Sequence, residues 1–112
     1  MPERAQLLNA GFSTADTAYP SFTMGDTGFS LEFLNWQERP IRVNFDNIAG
    51  VRWEALDGGD DQIYEMVDSV WVTSLLRTTE YAASDGLRHF RLCFNAHGVL
   101  DVLASHMRLV AG

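Results

Sequence analysis

The chain has 112 residues, 8 basic and 15 acidic, with a formal net charge of −7. This length holds one domain and leaves no room for a catalytic domain plus a separate cofactor domain. The single cysteine, Cys93, excludes an internal disulfide framework.

At 46% hydrophobic and 12% aromatic the composition is that of a globular protein. Every basic residue is an arginine, at positions 4, 39, 42, 52, 77, 88, 91 and 108. Nucleic-acid affinity rests on clustered cations that neutralise phosphates. Here the cations are scattered and outnumbered, so neither nucleic acid nor an anionic membrane surface is expected as a partner. The absence of lysine removes Schiff-base and P-loop chemistry. Met1-Pro2-Glu3-Arg4 does not open a basic-then-apolar run, so no secretory signal is expected. The apolar clusters are far shorter than the ~20 residues that span a bilayer. A cytoplasmic location is the expectation.

In chain order, residues 2–10 predict a short helix, with Pro2 in its first turn and Gly11 at its stop. Residues 12–18 read as loop or edge strand, making 1–18 a loosely packed leading segment of one domain, 1–112. Tyr19–Met24 and Phe29–Trp36 flank the turn signal Gly25-Asp26-Thr27-Gly28. Ile41, Val43 and Phe45 alternate with Arg42, Asn44 and Asp46, the pattern of a half-buried strand. The alternation slips at Ala49-Gly50, which predicts a bend or bulge before Val51–Glu54. Asp57–Asp61 reads as a hairpin tip, with 62–67 as the return strand.

The spacing of Trp71, Val72, Leu75, Leu76 and Thr79 predicts a helix over about 69–81, capped by Asp68 or Ser69 and stopped at Asp85-Gly86. Asn95-Ala96-His97-Gly98 reads as a hairpin loop with a left-handed glycine. It pairs Phe94 with Leu100, Leu92 with Val102 and Phe90 with Ala104. The other face then carries His89, Arg91, Cys93, Asp101, Leu103 and Ser105. The fold class is α+β: a mainly antiparallel sheet of six to seven strands, with one main helix between strands five and six.

No arrangement of residues singles out a catalytic site. The acidic stretch Glu54, Asp57, Asp60, Asp61, Glu65 and Asp68 fails the EF-hand spacing, because Gly59 and Gln62 fall at ligand and glycine positions. His89 and His106 have opposite parity on paired strands and His97 sits at a hairpin tip, so a three-histidine metal site is not expected and each reads as a surface residue. Cys93 and His89 lie about 13 Å apart along one strand face, beyond nucleophile–base reach. Cys93 reads as a buried structural thiol. Trp36 falls on the even, exposed face with Leu34, beside Arg39 and Arg42. There it has the character of a binding hot spot.

Three segments carry a resemblance. They are Phe33–Trp36 with Ile41–Ile48, then Tyr64–Trp71, then His89–Leu92 with Val99–Ala104. Across residues 29–110 the chain resembles small uncharacterised single-domain bacterial proteins, some of immunity-protein type. The −7 charge, the acidic stretch and the missing catalytic constellation point to a non-enzymatic acidic module that binds a basic protein, and the resemblance adds the immunity type. The candidate footprint is Glu54, Asp57, Asp60, Asp61, Glu65 and Trp36, with no cofactor or metal. Two alternatives stay open. One is a small-ligand protein or enzyme with its site between sheet and helix. The other is a homo-oligomer built on Leu103, Leu109 and Val110.

Overall fold

A computed structural model describes residues 2–26, 28–55, 59–78 and 86–111. In chain order its elements are β1 Arg4–Leu7, β2 Ser21–Met24, β3 Gly28–Leu34, β4 Pro40–Asp46, β5 Gly50–Ala55, β6 Ile63–Val67, α1 Val70–Thr78, β7 Arg88–Phe94, β8 Gly98–Ala104 and β9 His106–Ala111. The α+β class and the antiparallel pairing hold. The strand count does not. Nine strands form two sheets, in the orders β1-β6-β7-β8-β5 and β2-β3-β4-β9.

Two sheets follow from two alternating apolar faces that must each find a partner. Phe29, Leu31, Phe33, Ile41, Val43 and Phe45 come from the four-stranded sheet. Phe90, Leu92, Phe94, Leu100 and Val102 face them from the five-stranded sheet, and all are buried. Phe33 meets Phe94 edge-on at 5.3 Å, and Phe45 lies 6.1 Å from Phe90. This geometry sets the two ends of the sandwich. The 35–39 loop, the 95–97 turn and the segments around 12–18 and 59–62 gather at the end near Phe94.

Several expectations need correction. Residues 4–7 are not helical: β1 pairs antiparallel with β6, Ala5 opposite Met66. The slip at Ala49-Gly50 is a sheet crossing rather than a bulge within one sheet. Asn47 turns the chain with φ 53°, and β5 continues in the other sheet. Gly50 is required there because a Cβ would lie 2.6 Å from the Trp71 indole. β5 and β6 do not pair as a hairpin, since β5 pairs with β8 and β6 with β7, so the expected tip at Asp57–Asp61 is not one; residues 56–58 lie outside the described residues. The described part straddles the end of the β7–β8 hairpin, with Gly59 N–H donating to Asn95 O and Cys93 N–H to Gln62 O.

The β7–β8 hairpin is real but slipped by two residues. Phe94 pairs with Gly98, Leu92 with Leu100 and Phe90 with Val102. A two-residue slip keeps every side chain on its face, so the core assignment survives. Gly98 does not adopt positive φ. Its glycine is needed because a Cβ would run into the Glu54 carbonyl and the Trp53 ring.

The main helix follows the sixth strand, not the fifth. Ser69 is its cap, with Val72 N–H donating to Ser69 Oγ at 3.2 Å, while Asp68 takes φ 55° just before it. Trp71, Val72, Leu75 and Leu76 form its partly buried face. Thr79, and residues 82–85 of the predicted stop, lie outside the described residues, while Gly86 takes the left-handed φ of 68°. The final strand, β9, was not anticipated. The chain breaks at Ser105 and crosses to pair with β4.

Candidate functional site

The outward face of the five-stranded sheet carries charge and polar groups in register. Antiparallel pairing sets Tyr64 opposite Arg91, Arg91 opposite Asp101, and Asp101 opposite Arg52. The neighbouring row is His89, Leu103 and Gly50. Helix α1 covers that row: the Trp71 ring meets His89 edge-on at 5.6 Å. His89 is therefore buried, at 2% exposure, and is not the surface residue expected from parity. Leu103 is fully buried for the same reason and offers nothing to an oligomer interface. Leu109 and Val110 are exposed on β9.

Beneath the helix lies one chain of hydrogen bonds. Ser69 Oγ is 2.7 Å from His89 Nδ1, and His89 Nε2 is 2.6 Å from Asp101 Oδ1. Ser69 accepts from Val72 N–H, so its own proton is free to go to Nδ1, and Nε2–H then donates to Asp101. Arg91 Nε donates to Asp101 Oδ1 at 2.8 Å, and an Arg52 terminal nitrogen lies 3.4 Å from Oδ2. Burial pushes the Asp101 carboxyl up. The bonds from His89 and Arg91, together with the Arg91 charge, outweigh it and hold the group below its ordinary value.

Serine, histidine and aspartate in one relay resemble a nucleophilic triad, but the ring is reversed: Nδ1 faces serine and Nε2 faces aspartate. Ser69 is 4% exposed and its hydroxyl caps α1. The relay is a clasp that fixes the helix to the sheet. Cys93 shares this face and is buried. Its thiol is pushed up to about 11, mainly by burial and then by the Asp60 charge, so it stays protonated and unreactive.

Beside the helix this face opens into a groove of about 440 Å³, bounded by Arg52, Glu54, Asp60, Tyr64, Arg91 and Asp101. Tyr64 donates a short hydrogen bond to Asp60, which raises the phenol to about 12.

The predicted footprint is only partly assembled. Glu54, Asp60 and Asp61 are exposed toward the Phe94 end of the sandwich. Asp16, which sequence reading missed, joins them there, because Asp16 N–H donates to Asn95 Oδ1 and Asn95 Nδ2 to Asp16 Oδ1. Glu65 is not part of this group. It is half-buried and paired with Arg88 at 2.6 Å, and the hydrogen bond from Arg88 lowers its pKa. Asp57 lies outside the described residues. Trp36, 59% exposed, stands on the 35–39 loop at the same end. That placement follows because Leu34 O accepts from Ala18 N–H, and Thr17 O takes a bond from His97.

Among the described residues no three His, Cys, Asp or Glu side chains gather as a metal site. Among the same residues no helix is long and apolar enough to cross a membrane. No family model, curated protein or solved structure matches the chain.

Proposed function

We propose that the chain is a non-enzymatic protein-binding module of immunity or regulatory type, and that its Phe94 end meets a basic partner protein. The observation that carries this reading is the pairing of an exposed indole with unneutralised acid. Trp36 stands clear of the surface, and Asp16, Glu38, Glu54, Asp60 and Asp61 are exposed at the same end. Arg39 is the only cation on the four loops of this end.

Five of the arginines elsewhere already face a carboxylate. Among the described residues Arg42 pairs with Glu32, Arg88 with Glu65, Arg108 with Asp46, and Arg52 and Arg91 with Asp101. The field at the acidic end is thus left for a partner. Such a field steers a cationic protein into contact, and a tryptophan anchor slows its escape.

The test is affinity capture at low and moderate salt, identification of the retained protein, and titration of that purified protein. Trp36→Ala should weaken binding about 10- to 30-fold. Glu54→Gln, Asp60→Asn and Asp61→Asn together should slow association and flatten its salt dependence. Capture of no partner at either salt, or binding indifferent to both changes, overturns the reading.

A further inference from the structure

We infer that the groove beside α1 is a binding site for a small zwitterion. Its carboxylate or phosphate would sit between Arg52 and Arg91, and its protonated amine against Glu54 and Asp60. The groove shares Glu54 and Asp60 with the proposed partner surface, but the inference does not rest on that reading or on Trp36.

The lining as a whole holds three carboxylates, Glu54, Asp60 and Asp101, against two arginines, but the unfilled guanidinium donors at the groove floor point to an oxyanion. Two guanidiniums converge on one carboxylate, Arg91 on Oδ1 and Arg52 on Oδ2 of Asp101. One negative charge cannot neutralise both, and His89 Nε2 draws on the same carboxylate. Asp101 is buried, whereas both arginines reach the groove. Each guanidinium carries five N–H donors, and among the described residues Asp101 is the only hydrogen-bonding partner of either one. A second oxyanion above Asp101 would meet those donors in the forked geometry arginine favours.

The fork is also held in place before any ligand arrives. Arg52 lies over the Trp71 ring at 4.9 Å, and Asp101 anchors it from the other side. Arg91 is fixed by the 2.8 Å bond to Asp101. Side chains already ordered lose less entropy on binding.

The far wall has the opposite sign. Glu54 lies two residues beyond Arg52 on the same strand face, about 7 Å along. Asp60 is held at the groove by Tyr64. The lining also includes Ala5, Cys93 and Val99, with Cys93 and Val99 in the same cross-strand row as Glu54, which gives the groove an apolar floor for a short aliphatic linker. The volume, about 440 Å³, falls in the range of small-molecule sites. A backbone spacing of about 7 Å between the two residues suits an ω-amino acid or an aminoalkyl phosphate better than an α-amino acid.

The experiment is NMR titration of the full chain with 5-aminovalerate and 4-aminobutyl phosphate, against valerate, inorganic phosphate and pentylamine. Saturable shifts at the amides of Arg52, Glu54, Arg91 and Asp101 are expected. At least one zwitterion should bind about tenfold tighter than its controls of one charge sign, and the two zwitterions report which oxyanion fits. Arg52→Gln should weaken it at least tenfold, and Glu54→Gln should erase its advantage over the simple anion. Trp36→Ala should change nothing, which separates this site from the partner surface. A thermal melt of each variant establishes folding, and the exposed Glu54→Gln carries the test if Arg52→Gln does not fold. Absence of saturable shifts overturns the inference. So does equal binding of phosphate and zwitterion, which marks an adventitious ion only, or indifference to both groove variants.

Discussion

Asp101→Asn removes the charge on which the outer face of the five-stranded sheet converges. Asp101 accepts from His89 at 2.6 Å, Arg91 at 2.8 Å and Arg52 at 3.4 Å. Breaking a buried ion pair from one side typically costs about 3–5 kcal/mol. That figure must be reduced here. The Arg52 side chain is 53% exposed and that of Arg91 30%, so both can turn toward water. His89 has no such outlet, but the asparagine oxygen can still accept its proton. The net cost is about 2–3 kcal/mol, out of the 5–15 usual for a domain.

In urea this moves the unfolding midpoint down by about 1–2 M. The sign with pH is fixed by linkage. A carboxyl whose folded pKa is depressed contributes stability above its unfolded pKa, near 3.9, and loses it as pH falls through the folded pKa. Asp46 and Glu65 are depressed too, but they titrate in both proteins and cancel in the difference. The gap between wild type and variant should be full at about pH 6 and shrink toward about pH 2.5. A gap under about 1 kcal/mol at pH 6, or one that widens on acidification, refutes the clasp as the source of this stability.

Ser69→Ala removes both the α1 cap and the partner of His89 Nδ1, and should cost about 2 kcal/mol in urea melts, with faster amide exchange in α1. Gly98→Ala forces a methyl group against the Glu54 carbonyl and Trp53 ring, both packed, and should cost about 2–3 kcal/mol by thermal denaturation. Cys93, buried with its thiol raised to about 11, should resist Ellman's reagent at mildly alkaline pH. Its single thiol should react fully once urea unfolds the chain.

Most of the core was legible because period-two alternation states which side of a strand is apolar. Phe29, Leu31 and Phe33, and Phe90, Leu92 and Phe94, were placed on the right faces. The second sheet was not legible. Alternation reports a buried face but not which strands share a sheet, and the slip at Ala49-Gly50 looks the same whether the strand bulges or crosses. The short β1 carries no period strong enough to displace a helix reading.

The clasp was half visible. His89, Cys93, Asp101 and Leu103 were assigned to one face, and the fully apolar Leu103 there was the signal that something covers it. An amphipathic helix in the same chain needs an apolar face to cover. The two-residue slip hid the rest, because it set Asp101 opposite Cys93 instead of Arg91. Trp36 was placed on an exposed face and is exposed. In sequence the acid run reads as one patch, because proximity along the chain cannot show that Arg88 reaches Glu65.

The strand order has a consequence for how the chain reaches this structure. β5 waits for β8, and β4 remains an open edge until β9 arrives. During synthesis residues 50–55 therefore stay without their full ladder until residue 103 is made. Pairings this distant place the protein among slow, topology-limited folders, on millisecond-to-second timescales. Over that interval the apolar faces of β3 and β4 lack their cover, and that is the window in which the chain is most exposed to aggregation.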